Sequence, residues 1–194
     1  MSQDRRLKPF GEIPESFTVL KDKGIYYTDK TGFIPYLINQ ERKICVFTRP
    51  RRFGKTLMLR TLQTFFEYRL DADGVPVDNR RYFEGLKVMD AGEDVLKEMG
   101  QYPVISLSFK DIRVDTYPLV LAQLRGAVCR ACAPYELLLK NSEVLGAASL
   151  ELLQRYLDRK ATEDELMQFL EIFMDWLYKA TNRKTVVLID EYDV

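Results

Sequence analysis

The stretch FTRPRRFGKTLM, Phe47–Met58, carries Gly54, Lys55 and Thr56 in succession. Glycine lets a backbone approach a ligand closely, lysine brings charge to outer phosphate oxygens, and a threonine hydroxyl ligates Mg²⁺. The three residues close the pattern G-x-x-x-x-G-K-[ST], in which a loop feeding a helix cradles phosphate. The opening glycine would stand at position 49, where the chain has Arg49. By itself the stretch also reads as a basic turn that merely connects a strand to a helix. A second group lies far along the chain. VVLIDE, Val186–Glu191, sets Asp190 and Glu191 behind an apolar run. An Asp so placed holds Mg²⁺, and a following Glu polarises the water that attacks a phosphoryl group. Alone, Asp190 and Glu191 read as a solvated strand end. The two groups in this order favour a nucleotide site.

Each group needs an element to position it. KICVFTR, Lys43–Arg49, is short, apolar and rich in β-formers, and reads as a buried strand that delivers the loop. Beyond it, Leu57, Leu59, Leu62, Phe65 and Phe66 form a helical stripe. Tyr102–Ile112 alternates Val104, Ser106 and Ser108 against Ile105, Leu107 and Phe109, a second strand. Thr185–Ile189 is the third. Between them, Pro118 is placed to open a helix with Leu121, Leu124 and Val128 on one face. A further helix covers Leu150–Leu157. Thr162 and Glu165 form a capping box ahead of a helix lined by Leu166, Phe169, Leu170, Phe173 and Leu177. Trp176 lies off that stripe, at the edge of the core. Asp29 caps a short helix that ends near Gln40, with Pro35 limiting its first turn. Residues 71–80 are a turn-rich loop. Strands alternating with helices point to an α/β sheet with parallel strands.

Composition narrows the chemistry. Lys+Arg and Asp+Glu are equal at 29 each, so no global field draws in nucleic acid or an anionic membrane. The densest basic cluster is Arg49, Arg51, Arg52 and Lys55, inside the loop itself. The chain has no histidine, which removes Ser-His and Cys-His nucleophile pairs and histidine metal sites. Cys45, Cys129 and Cys132 make no disulfide framework, which points to a reducing compartment. Cys129 and Cys132 form a C-x-x-C that reads as a helix-borne coincidence, not a zinc site. The N-terminal MSQDRRLKPF has no apolar stretch behind it, and no run approaches the ~20 residues that span a bilayer. The expectation is a soluble, cytoplasmic protein with no membrane partner, most simply a single domain over residues 1–194.

YYTDKTGFI, FTRPRRFGKTL, YPVISLSFKDI and LIDEYDV, in that order, resemble the predicted AAA-ATPase-like family, over nearly the whole chain. The resemblance implies a P-loop NTPase-like three-layer sandwich with a mostly parallel sheet, incomplete here because the chain ends at the Walker B strand. In that family an arginine-proline start replaces the usual glycine, so Arg49 is a family feature. It further implies ATP and Mg²⁺ as cofactors. Arg49, Pro50, Arg51, Arg52, Phe53, Gly54, Lys55, Thr56 and Leu57 would form the nucleotide-binding loop. Thr56 and Asp190 would hold the metal, with Lys55 and Glu191 as catalytic groups. Family members often continue into a PD-(D/E)xK nuclease-like domain.

Three readings of function follow. The first is a Mg·ATP-binding ATPase-type module whose hydrolysis is weak or absent, because related ATPases supply one more strand, with a polar tip, after Walker B. The second is a non-catalytic remnant or interaction domain, self-associating or joined to a further domain. The third is the ATPase module of a nucleic-acid-processing protein, which the balanced net charge does not favour. Tyr26, Tyr27, Asp29, Lys30 and Thr31 read either as a structural cap or as a border for the adenine.

Overall fold

A computed structural model describes residues 14, 16–40, 44–48, 50, 53–110, 112 and 116–191. The chain divides into two compact units, Met1–Phe65 with Asn79–Met99, and Phe66–Asp78 with Gly100–Val194. The architecture is α/β: mostly helices, with one small parallel sheet of two strands among the described residues.

The first unit is built from short helices and aromatic packing. α1 (Phe17–Asp22) starts at Ser16, whose hydroxyl accepts from the Val19 amide. α2 (Phe33–Ile38) follows. Its Pro35 sits in the first turn, where a missing N–H removes no helical bond. α3 (Lys55–Phe66) is the long helix of the unit. Two 3₁₀ turns, Arg80–Phe83 and Lys87–Asp90, lead to α4 (Glu93–Leu96). Phe17, Phe65 and Phe83 pack ring against ring at 5.2 and 5.5 Å, with Leu20, Ile34, Val88 and Val95 also buried.

The buried face of α3 carries Met58, Thr61, Leu62, Phe65 and Phe66, whereas Leu57 and Leu59 are half-buried. The face is therefore turned from the stripe that leucine counting suggests. Thr61 enters it without cost because its hydroxyl donates to the Leu57 carbonyl at 2.8 Å.

The second unit holds the sheet. β1 (Val104–Ser108) and β2 (Val186–Asp190) run parallel in the register Val104↔Val186 to Ser108↔Asp190. Parallel neighbours require a long crossover. It consists of α5 (Tyr117–Cys132), α6 (Glu136–Asn141), α7 (Ala147–Leu157), α8 (Glu163–Met167) and α9 (Phe169–Thr181). The capping box is formed: the Thr162 hydroxyl accepts from the Glu165 amide and the Glu165 carboxylate accepts from the Thr162 amide. The single helix expected behind it is divided at Gln168. Phe169, Phe173, Trp176 and Leu177 of α9 pack into a core with Leu153, Tyr156, Tyr135 and Leu139. Trp176 is a core residue, in ring contact with Tyr156 and Phe173. α9 ends at Asn182, whose left-handed φ of 53° closes the helix.

Two side chains fix the sheet. Residues 103 and 109 of β1's line bond β2, through Val186 N–H to Pro103 O and Phe109 N–H to Asp190 O. Val104, of opposite parity, turns its backbone the other way. There Tyr135 Oη accepts from the Val104 N–H at 2.6 Å and donates to the Val104 carbonyl at 3.0 Å. One phenol satisfies both backbone groups, and burial raises its pKa. Ahead of β2, Arg183 donates to the backbone and side-chain oxygens of Gln101 and stacks on Tyr68 at 4.4 Å. This ties the starts of both strands together.

Of the strand expected over Lys43–Arg49, the described residues 44–48 do not form one. Their backbone is irregular, and Ile44 is 82% exposed and Val46 61% exposed. Cys45, expected on a buried strand, is exposed. A β-rich run becomes a strand only when a neighbour pairs with its backbone, and among the described residues none does. Phe47 is anchored, edge-on to Phe33 at 5.0 Å. Lys43 and Arg49, at the ends of that expectation, lie outside the described residues.

Candidate functional site

The loop belongs to the first unit. Pro50 and Phe53 are exposed, and the Phe53 amide donates to the Pro50 carbonyl at 3.4 Å. Gly54 adopts φ +75°, a conformation that glycine takes readily and residues with a Cβ rarely do. The Met58 amide donates to the Gly54 carbonyl at 2.9 Å, the first helical bond of α3. Lys55 and Thr56 therefore stand in the first turn, with Leu57 behind them. First-turn amides have no partner within their own helix and lie at the positive end of its dipole. That is the local geometry that binds phosphate. Arg49, Arg51 and Arg52 lie outside the described residues.

Asp190 and Glu191 belong to the second unit. Asp190 is the last residue of β2 and is 8% exposed. Its side chain stands at the carboxyl end of a parallel strand, where α/β sheets place their ligands. Glu191 follows in the left-handed region at φ 52°, turning the chain as it leaves the sheet.

In the sequence the segment around Asp29 reads as a structural cap or as a border for the adenine, with Asp29 capping the helix that follows; that helix instead has Gly32 at its N-cap and no side-chain cap. The structure shows a tight polar knot within the first unit. Asp29 accepts from the Thr31 amide at 2.8 Å, the Thr31 hydroxyl at 2.6 Å and the Lys87 amide at 2.8 Å. Thr31, fully buried, accepts from the Val88 amide at 3.1 Å. Burial pushes the Asp29 carboxyl up, but the Thr31 and Lys87 hydrogen bonds and the Lys87 charge outweigh it and hold its pKa below the ordinary value. Lys30, between them, reaches the loop: its Nζ lies 3.3 Å from the Phe53 carbonyl. No spacing rule flags a contact across 23 positions. The pairing of Asp and Thr at i and i+2 was the available signal for the knot.

Elsewhere, Cys129 and Cys132 lie on α5. Cys129 Sγ donates to the Leu157 carbonyl at 3.1 Å, and burial raises the Cys132 thiol pKa. Among the described residues no helix is long and apolar enough to cross a membrane.

The chain belongs to the predicted AAA-ATPase family, whose sequence pattern matches residues 13–194. It is similar to a protein of Azotobacter chroococcum mcd 1 described as an uncharacterized protein in the vnfD 5′ region. The two are 31% identical over 168 residues, which cover 87% of this chain. The chain spans 25% of that relative's length. No solved structure matches the chain.

Proposed function

We propose that this chain is a Mg·ATP-binding P-loop module of its family, built on the three-layer sandwich that the sequence resemblance implies. The observation that carries this reading is Gly54 at φ +75° opening a 12-residue helix on Lys55 and Thr56. In this reading Arg49 to Leu57 wrap the phosphates, and Lys55 neutralises charge on the outer ones. Thr56 and Asp190 would hold Mg²⁺, which would supply further charge neutralisation when bound, and Glu191 would orient the attacking water. Hydrolysis is weak or absent. Ile44–Thr48, which would anchor the loop as a strand, is unpaired among the described residues. A phosphate loop without a paired strand to brace it forfeits preorganisation.

The test is calorimetric titration with ATP and Mg²⁺, alongside phosphate release. Charge-assisted hydrogen bonds contribute about 1.5–3 kcal/mol, so Lys55→Ala weakens ATP binding about 10- to 150-fold. Equal affinity in a folded Lys55→Ala protein refutes the assignment. Phosphate release at ordinary ATPase rates refutes the claim of weak turnover.

A further inference from the structure

The knot around Asp29 leaves one side chain with a different destination. Asp29 and Thr31 are spent on each other and on the backbone of residues 87 and 88. Lys30 is thereby held on a fixed base, and its ammonium donates to the Phe53 carbonyl at 3.3 Å. The same Nζ lies 3.5 Å from where a Cβ on Gly54 would stand. The cation thus sits on the peptide that joins Phe53 to Gly54.

That peptide matters because it is planar and trans, so its carbonyl and N–H point in opposite directions. A cation holding the carbonyl on one face turns the Gly54 N–H to the other. Glycine at this position has no Cβ and wide conformational freedom, so the residue itself does little to fix the plane. A charge-assisted bond from a lysine on a rigid base restricts it.

We propose that Lys30 is a positioning residue for the loop, holding the Phe53 carbonyl so that the Gly54 amide joins the first-turn amides of α3 in facing an anion. This inference rests on the reading of the loop as a phosphate site. It gives Asp29 and Thr31 the role of a base and Lys30 the role of a strut.

The experiment compares Lys30→Met, Lys30→Arg and Lys55→Ala with the unmodified protein. Two readouts are used: the Gly54 amide signal by NMR without ligand, and ATP and ADP affinity by calorimetry. Lys30→Met is expected to move the Gly54 amide signal and to weaken ATP and ADP about three- to tenfold alike, an exposed contact delivering less than a buried one. Lys30→Arg, which can still donate to the carbonyl, restores both readouts. Melting temperatures of the ligand-free variants stay unchanged, because Lys30 is not part of the core.

An unmoved Gly54 signal in Lys30→Met overturns the proposal. So does a loss confined to ATP, which would place Lys30 directly on the outermost phosphate. If Lys55→Ala weakens binding and Lys30→Met does not, the strut alone is wrong. If the unmodified protein binds neither nucleotide, the phosphate reading and the strut fall together.

Discussion

Ile44–Thr48 and Val186–Asp190 each lead an apolar run into one half of the proposed site, yet they have opposite fates. Val186–Asp190 pairs residue for residue with β1 and buries Leu188, which is 9% exposed. Ile44–Thr48 carries comparable β-formers and leaves Ile44 and Val46 in solvent. The difference lies in neighbours, not in propensity. β2 has a partner whose starting segment is tied to its own by Arg183 and Gln101, and whose outer edge is closed at Val104 by Tyr135. Among the described residues the earlier run has one ring contact, Phe47 on Phe33. Pairing converts β-propensity into burial, and without it the same residues stay exposed.

The largest effect that tests this contrast is Leu188→Ala. Leu188 is buried in the paired strand, and large-to-small changes at such positions cost about 2–4 kcal/mol. Urea unfolding monitored by circular dichroism measures it. A loss below about 0.5 kcal/mol, the range of surface substitutions, would mean that β2 is not the packed strand described.

Tyr135→Phe comes next. It removes the one group that satisfies both the N–H and the carbonyl of Val104, while keeping the ring against Phe173. An unsatisfied buried group costs about 1–3 kcal/mol, so the variant should lose that much stability. Amide exchange adds a local readout: Val104 should lose protection more than residues of α9. Uniform loss of protection would assign Tyr135 a packing role alone.

Much of the second unit was legible in the sequence. Alternation at Val104–Phe109, the β-branched run before Asp190 and the Thr162–Glu165 box each appear where local pattern places them. These signals are short in range and are decided by side chains within a few residues. The first unit was less legible. Its 3₁₀ turn Lys87–Asp90 is held by Asp29 and Thr31, 58 and 57 residues upstream of their partners, and no periodicity announces such pairings. The Gly-Lys-Thr motif was readable because its chemistry is local: a left-handed glycine and the first turn of a helix. Lys30 was not assigned to the loop, because its partner is a backbone carbonyl, and any residue has one. The failed strand at Ile44 has the same origin, since pairing depends on a distant neighbour.

A smaller effect, of about 1 kcal/mol, is expected for Thr162→Ala, which removes the cap of α8. It carries a pH signature. The Arg155 hydrogen bond, opposed by burial and aided by the Thr162 amide, holds the Glu165 pKa below its ordinary value of 4.5. A carboxylate depressed on folding contributes stability that is fully present above its unfolded pKa and is lost as pH falls through the folded one. Glu165→Gln should therefore flatten the acid limb of the stability curve below about pH 4.5 and leave the alkaline limb unchanged. An unchanged acid limb would show that the Arg155–Glu165 contact, 2.7 Å long, is not held in solution.

The smallest expected effect decides the comparison most directly. Ile44→Ala removes a β-branched side chain from a run that ordinary pattern reading assigns to the core. If that reading held in solution, the loss would match other buried isoleucines, about 2–5 kcal/mol. In the structure Ile44 is 82% exposed, so little surface leaves water there on folding and little is lost by truncation. The expected change is within about 0.5 kcal/mol, as at other surface positions. Urea unfolding of Ile44→Ala beside Leu188→Ala, under one condition, gives the ratio. A large loss at Ile44 that grows with protein concentration would show that the run finds its strand partner in a second chain. A large loss independent of concentration would show that it pairs within its own chain. A negligible loss leaves the loop without a strand to brace it, which makes the Lys30 contact to Phe53 the stronger restraint on Gly54.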